Sequence, residues 1–360
     1  MSPRLTRLKI HRFRDVKPTE LHFSAGFNVL LGWKGAGKTT LLDLLAALSA
    51  DDLSPYAREA FDIEYEVANP EDAETDSLRV RMQWEARRVE RLAPGFRVSI
   101  GELHWESSGP YGLVARLRGE KRIGELEIDF SPTEGHFLFQ LMTLLVGRDL
   151  RWARASSLFG RVRFPRLDED LAAFNRLMVN VPTPLSHMFH AAWDEALGAC
   201  DEAEWNGRHV PWIADVIALM GLDDIVFTLS RDMNGGPVTT GFRLHDPLQG
   251  WVDSRALNES QKRLFVIHCR LATLQQWDAP LIADELFNDL HPAWIEDVVA
   301  RLKGMQSFVT TPSLVLLDAM PWDDAAELPR MFVRCERRGR VLHWSNLSAE
   351  EARELRADGP

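Results

Sequence analysis

Residues 32–39 read GWKGAGKT, which follows the phosphate-binding pattern G-x-x-x-x-G-K-T and is called the P-loop below. Its flanks fit the pattern. Residues 27–31 form an apolar run, as a buried strand would, and residues 40–48 are dense in helix-forming side chains. In a strand, loop and helix unit the glycines let backbone N–H groups turn towards phosphate, and the helix N-terminus adds partial positive charge. The stretch therefore predicts a nucleotide-phosphate site rather than an ordinary glycine turn.

The pattern also assigns roles to single side chains. Lys38 is expected to reach the β- and γ-phosphates of ATP, and the Thr39 hydroxyl is expected to ligate Mg²⁺. The predicted nucleotide-binding residues of this segment are Gly32, Lys34, Gly35, Ala36, Gly37, Lys38, Thr39 and Thr40.

The composition is that of a soluble globular protein of one large or two smaller domains, with 360 residues, 45% apolar and 26% charged. No apolar run reaches the ~18 residues of a membrane span, and the N-terminus lacks the apolar segment of a signal peptide. The three cysteines are far apart, which is typical of free thiols in a reducing compartment. We expect a cytoplasmic protein without a membrane partner.

The formal net charge of −11 argues against extensive wrapping of nucleic acid. Arginine is nevertheless clustered within residues 79–97 and again within 330–340. Two interpretations remain open for these clusters: solvated strand faces, or a local surface for nucleic acid or a partner.

A second acidic motif lies far downstream. Residues 280–283 form an apolar strand that ends in Asp284 and Glu285, the Walker B pattern with an adjacent glutamate. Asp284 is expected to hold Mg²⁺ through water, and Glu285 to polarise or deprotonate the attacking water. The segment 257–263 precedes a predicted helix at 264–276, just before this strand.

The order of these motifs resembles the RecF/SMC/OLD-like branch of the bacterial ABC-type AAA family ATPases. The chain opens with two short strands within residues 4–23, has Phe13-Arg14 after the first, and reaches the P-loop through Gly26-Phe27-Asn28. The resemblance implies an α/β fold, a P-loop NTPase head of the ABC type with an antiparallel β subdomain and a helical insert. It also places Arg14 near the nucleotide or near bound DNA.

The sequence departs from this family at two motifs. The resemblance implies a signature Leu-Ser-x-Gly-Gln at 257–261, but Asn258 replaces the serine and Ser260 the glycine. Asn258 can still cap the following helix, whereas Ser260 adds a side chain where a second subunit's γ-phosphate would approach. Pro312 stands where the switch histidine belongs and has neither a side-chain donor nor a backbone N–H. Residues 286–292 are similar to the family's D-loop, and Gln140 is a candidate Q-loop ligand to the metal.

The predicted organisation has two lobes. Lobe I combines residues 1–135 with 262–360 and carries the P-loop, a β subdomain predicted from alternating segments within 61–130, and Walker B. Lobe II, residues 136–261, is predicted to be helical from 136 to 222, to continue in a hairpin within 224–252 and to end in the signature-like motif. The pair His187 and His190 is interpreted as a helix face rather than a metal site, since no third ligand is evident.

The resemblance implies a chain that hydrolyses ATP with Mg²⁺ and pairs head to head as a homodimer, in DNA repair or in phage defence beside an effector protein. Direct DNA binding is a further implication. Two alternatives remain open. One is an ATP-gated switch or scaffold with poor hydrolysis, which Ser260 and Pro312 favour. The other is a transporter's nucleotide-binding domain, which the Phe13-Arg14 opening disfavours. Nuclease chemistry finds no support in the sequence.

Overall fold

The computed structural model describes residues 4–49, 56, 59–68, 77–84, 95–100, 103–106, 113–115, 126–128, 183–231, 235–277, 280–311, 316 and 327–357. Within these ranges, no helix has both the length and the apolar character needed to cross a membrane.

A mainly parallel sheet of five strands carries both nucleotide motifs. Its strands, in spatial order, are β14 (Leu281–Ala283), β15 (Ser307–Thr310), β3 (Phe27–Leu31), β16 (Phe332–Arg338) and β17 (Val341–Asn346). All neighbours are parallel except β16 and β17, which form an antiparallel hairpin. Since the P-loop follows β3 and the acidic pair follows β14, both motifs lie at the carboxyl edge of this sheet, where ligands of open α/β sheets bind.

A six-stranded antiparallel sheet forms the β subdomain. In spatial order its strands are β2 (Thr19–His22), β1 (Arg4–Phe13), β4 (Phe61–Ala68), β5 (Ser77–Trp84), β6 (Gly95–Ile100) and β7 (Leu103–Glu106). A separate pair joins β8 (Leu113–Ala115) to β9 (Leu126–Ile128). The α/β class with an antiparallel subdomain is therefore confirmed. In the backbone register, Arg79 lies opposite Glu66, and Arg81 lies opposite Glu64 on β4 and opposite Arg97 on β6.

The helices described are α1 (Lys38–Ser49), α2 (Thr183–Leu197), α3 (Pro211–Leu219), α4 (Glu259–Trp277), α5 (Pro292–Arg301), α6 (Leu328–Met331) and α7 (Ala349–Ala357). Helix α1 begins at the end of the P-loop, and α4 begins directly after the signature-like Asn258. Helix α5 begins after the D-loop, with His291 as its N-cap. The chain therefore starts each of these three helices at a predicted motif.

The parallel sheet separates two hydrophobic cores, because consecutive residues of each strand face opposite sides. Val29 and Val309 belong to a core with α4, α5 and the lobe II aromatics. Leu30 and Phe308 belong to a core with α1 and the apolar faces of β1 and β4. The P-loop and Walker B strands are thus fixed from both faces, which gives the site a rigid base.

The described part of lobe II is not purely helical: the hairpin predicted within 224–252 is present, and β10 (Glu202–Asn206) is a strand inside the range 136–222 that was predicted to be helical. Besides α2 and α3 it contains an antiparallel sheet of β10, β11 (Asp224–Arg231), β12 (Pro237–Asp246) and β13 (Gly250–Asp253). Alternate residues Ile225, Phe227 and Leu229 of β11 are fully buried against the core. The predicted hairpin is β11 and β12. The first part of the region predicted to be helical, residues 136–182, lies outside the described residues.

Candidate nucleotide-binding site

The P-loop is shaped by its glycines and backed by the β16–β17 hairpin. Gly32 has a φ of 147°, and a Cβ at this position would lie 2.2 Å from the carbonyl oxygen of Cys335. A Cβ at Gly37 (φ 88°) would lie 2.8 Å from the Leu342 side chain. Because L-residues avoid such φ values and the neighbouring strands leave no space, both positions require glycine. The two glycines therefore let the loop lie directly against β16 and β17.

Hydrogen bonds within the loop hold the Lys38 side chain and the Trp33 carbonyl in place. Lys38 Nζ donates to the carbonyl oxygens of Gly32 at 2.7 Å and Trp33 at 3.2 Å, which holds the ammonium over the loop assigned to phosphate. The Trp33 carbonyl also accepts the Ala36 N–H at 3.1 Å. The Trp33 indole itself is 91% exposed. The loop thus presents a fixed cation and an unburied aromatic ring side by side.

The P-loop and Walker B meet through one short contact. The Thr39 hydroxyl donates to Asp284 Oδ2 at 2.6 Å, across 245 residues of sequence. The Thr310 hydroxyl donates to the other carboxylate oxygen, Oδ1, and accepts the Glu285 N–H at 2.7 Å. Asp284 is therefore oriented from two sides, by the strand β15 between the motifs and by the P-loop helix.

Glu285 lies in a turn with an unusual backbone. Its φ is 52°, in the left-handed region that non-glycine residues rarely adopt. The Asn288 N–H donates to the Glu285 carbonyl at 3.1 Å, and Asn288 Nδ2 donates to the Glu285 carboxylate at 2.7 Å. Arg263 of α4 donates to the carbonyls of Glu285 and Leu286. The carboxylate itself remains exposed, so it is accessible to a ligand.

The signature-like turn forms a reciprocal cap at the start of α4. Asn258 Oδ1 accepts the Gln261 N–H at 2.9 Å, and Gln261 Oε1 accepts the Asn258 N–H at 3.0 Å. The predicted cap is thus present, in the geometry of a capping box. The Ser260 hydroxyl donates to the Asp289 carbonyl, so this departure from the family pattern binds the D-loop of the same chain.

Arg14 directly follows β1, and its guanidinium contacts Glu59, Phe13 and Tyr56. Its guanidinium forms two 2.6 Å hydrogen bonds with the Glu59 carboxylate and covers the rings of Phe13 and Tyr56. These hydrogen bonds raise the pKa of Arg14 and lower the pKa of Glu59 below its usual value. The assignment of Arg14 to the nucleotide stays a prediction. Gln140 and Pro312 lie outside the described residues.

Several residues that support the site were not singled out from the sequence. Thr310 and Asn288 contact the acidic pair, and Cys335, Leu342 and Trp344 lie behind the P-loop. Burial raises the pKa of the Cys335 thiol to about 12 despite the opposing charge of Lys38, so this thiol stays protonated and acts as a packing group. Two of them carried a sequence signal: Thr310 ends the strand after Walker B, and Asn288 lies in the segment similar to the D-loop.

The donor set at this site fits Mg²⁺. Mg²⁺ takes oxygen ligands and usually keeps several waters, so one or two protein oxygens beside substrate phosphates suffice. The Thr39 hydroxyl and the Asp284 carboxylate provide such a pair, with their oxygens 2.6 Å apart. Among the residues described, no cluster of three or more His, Cys, Asp or Glu forms a separate metal site.

Comparisons with known proteins agree with this geometry. The AAA domain family matches residues 7–109. The DNA replication and repair protein RecF of Vibrio cholerae is 46% identical over 44 residues, which is 12% of this chain and 12% of that protein. RecF of Vibrio parahaemolyticus matches to the same extent, so the alignments span only a small part of these relatives.

The fold has a match over nearly the whole chain. An Smc head crystallised with the C-winged helix domain of ScpA has a TM-score of 0.56 and 14% identity, covering 97% of this chain and 100% of that one. The chain therefore has the fold of an Smc head domain with a P-loop at the carboxyl edge of its parallel sheet, and it shares a short stretch of sequence with RecF.

Proposed function

We propose that this chain binds ATP with Mg²⁺ at residues 32–40 and hydrolyses it to ADP and phosphate. The observation that carries the proposal is the 2.6 Å contact between the Thr39 hydroxyl and the Asp284 carboxylate, which joins the phosphate loop to the acidic pair. Glu285 follows Asp284 directly and has an exposed carboxylate.

Each residue then has one task. The P-loop N–H groups and Lys38 bind the β- and γ-phosphates. The Thr39 hydroxyl and the Asp284 carboxylate would hold Mg²⁺ beside these phosphates. Mg²⁺, when bound, neutralises the charge that develops on these phosphates. Glu285 accepts a proton from the water that attacks the γ-phosphorus, and the bond between that phosphorus and the ADP oxygen breaks.

We further propose that two chains pair with ATP between them. In this arrangement the Asn258–Gln261 cap and the positive end of the α4 dipole face the γ-phosphate of the partner.

DNA repair is favoured by the RecF similarity, while phage defence beside an effector protein rests only on analogy with other ATPases of this kind. A cytoplasmic location accompanies either role. Direct DNA contact is a secondary proposal, whose signature is an affinity that falls steeply with salt.

One alternative function is supported by a specific contact. The Ser260 hydroxyl is bonded to the Asp289 carbonyl of its own chain rather than being free for a partner's nucleotide. This favours an ATP-gated switch or scaffold that binds the nucleotide, turns it over poorly and controls a separate effector.

Phosphate release from ATP by the purified chain separates the two functions. We expect turnover with Mg²⁺ that Glu285→Gln lowers by about a hundredfold or more, because the general base is lost. The matched control is Glu354→Gln, an exposed glutamate of α7 remote in sequence from every site motif, which should leave turnover unchanged. Wild-type turnover equal to that of Glu285→Gln would contradict hydrolysis and favour the switch.

A further inference from the structure

We propose that Asn288 is a positioning residue that holds the Glu285 carboxylate in one orientation for hydrolysis; this inference rests on the proposed function. Asn288 lies three residues after Glu285 in the D-loop segment. Its side-chain Nδ2 donates to Glu285 Oε2 at 2.7 Å. Asn288 therefore acts on the reaction through Glu285 and not through the nucleotide.

The turn that joins the two residues is closed twice. The backbone N–H of Asn288 donates to the Glu285 carbonyl at 3.1 Å, and the two side chains form the second bond. A solvent-exposed glutamate otherwise samples several rotamers, and fixing it in one of them costs conformational entropy. The Asn288 amide reduces that freedom before the nucleotide is bound.

The orientation of the Asn288 amide follows from its neighbours. Its NH₂ group must face the carboxylate, because the reversed amide would place the carbonyl oxygen against a negatively charged oxygen. Asn288 Oδ1 is buried and accepts no hydrogen bond from the residues described. The amide thus contributes a donor to Glu285 and nothing else within the described chain.

The turn is held rigidly enough to impose this orientation. Leu286 and Phe287 are buried at 0% and 1% exposure, and the Leu286 N–H donates to the Thr310 carbonyl at 3.1 Å. From α4, Arg263 donates to the carbonyls of Glu285 and Leu286, and Ser260 donates to that of Asp289. The backbone on both sides of Asn288 is therefore tied to the signature helix and to β15.

The test is steady-state ATP hydrolysis by Asn288→Ala, alone and in the Glu285→Gln background. We expect the single variant to lower kcat about tenfold with an unchanged affinity for ATP, since only the orientation of the base is lost. In the Glu285→Gln background the same change should lower kcat no further. Asn288→Asp should be at least as damaging as Asn288→Ala, because it places a second carboxylate beside Glu285.

Asn206→Ala is the matched control. Asn206 Nδ2 donates to the Asp224 carboxylate at 3.0 Å in lobe II, so this change breaks the same kind of bond away from Glu285. It should leave kcat unchanged.

The possible outcomes are distinct. Wild-type turnover above that of Glu285→Gln, together with an unchanged kcat in Asn288→Ala, overturns the inference and leaves the proposed function intact. A loss of ATP affinity in Asn288→Ala, or a further loss of kcat in the Glu285→Gln background, assigns Asn288 a general structural role and also overturns it. Wild-type turnover equal to that of Glu285→Gln overturns the proposed function and this inference with it.

Discussion

Trp33 is the residue whose exposure the folded chain alone does not explain. The indole is 91% exposed, while the Trp33 carbonyl is fixed by Ala36 and Lys38. A large aromatic ring held at a fixed place on the surface is typical of an interface anchor. In the proposed pairing this ring and the exposed Lys34 would meet the signature turn of a second chain, which presents the exposed carboxylate of Glu259.

Trp33→Ala should therefore weaken ATP-dependent pairing without affecting the folded monomer. We expect a loss of at least about tenfold in dimer affinity, as for interface anchors, and a change in unfolding free energy within about 0.5 kcal/mol, as for exposed sites. Light scattering with ATP and Mg²⁺ in the Glu285→Gln background measures the pairing. Leu248→Ala, at 94% exposure in the β12–β13 turn, is the control. Pairing as tight as in the parent would contradict the assignment.

For single residues, the sequence predicts those that belong to a short motif and misses those whose role depends on contacts with distant parts of the chain. The P-loop residues and the pair Asp284-Glu285 were recognisable because a short backbone pattern defines them. Asn258 was recognisable as a cap for the same reason. The bond from Ser260 to the Asp289 carbonyl spans 29 residues and joins α4 to the D-loop, so no spacing rule reveals it.

Among the elements, three helices meet in one charged network. Asp297 of α5 lies 3.2 Å from His268 of α4 and 2.8 Å from Arg301, and Arg301 reaches Asp215 of α3 at 3.0 Å. The contact with His268 and the hydrogen bond from Arg301 lower the pKa of Asp297 from 3.8 to about 2. A polar contact between His268 and Asp297 thus joins α4 to α5, and an ion pair between Arg301 and Asp215 joins α5 to α3.

Asp297→Asn should lower the free energy of unfolding by about 1 kcal/mol at neutral pH, because solvent screens part of the charge interaction at this partly exposed carboxylate. Because the folded-state pKa is depressed, the stabilisation is complete above the unfolded pKa of 3.8 and is lost as the pH falls towards about 2. The difference between wild type and variant in urea unfolding should therefore narrow below about pH 4. Asp201→Asn, an exposed aspartate, is the control. A difference that does not vary with pH would contradict the network.

The elements themselves were largely predictable, with one instructive exception. Alternation predicted β4 to β6 and the β11–β12 hairpin, and in β4 and β11 every second residue is buried, as alternation requires. The segment 185–203 was predicted as helical throughout, but α2 ends at Leu197 and β10 begins at Glu202. Gly198, at a φ of 52°, follows the last helical residue, and a glycine at that position is a common helix stop. The apolar content of the segment obscured this signal.

For the whole molecule, the decisive feature is a parallel sheet buried between two cores. It places the carboxyl ends of β3 and β14 at the same edge of the sheet, although about 250 residues separate the P-loop from the Walker B pair in sequence. The order of the P-loop and Walker B motifs along the chain was sufficient to predict this α/β fold. The strand content of lobe II was only partly foreseen, because its sheet is completed by β10 and β13, whose short exposed patterns carry little signal.

The central claim is that the P-loop and Walker B form a single Mg²⁺–ATP site, and the affinity for ATP with and without Mg²⁺ tests it most directly. For the wild-type chain we predict tighter binding with Mg²⁺. Lys38→Ala should weaken binding about ten- to a hundredfold in both conditions, since a charged hydrogen-bond donor to phosphate is lost. Asp284→Asn should retain the Mg²⁺-free affinity and lose the gain from Mg²⁺. An Asp284→Asn chain that keeps the full gain would contradict the account.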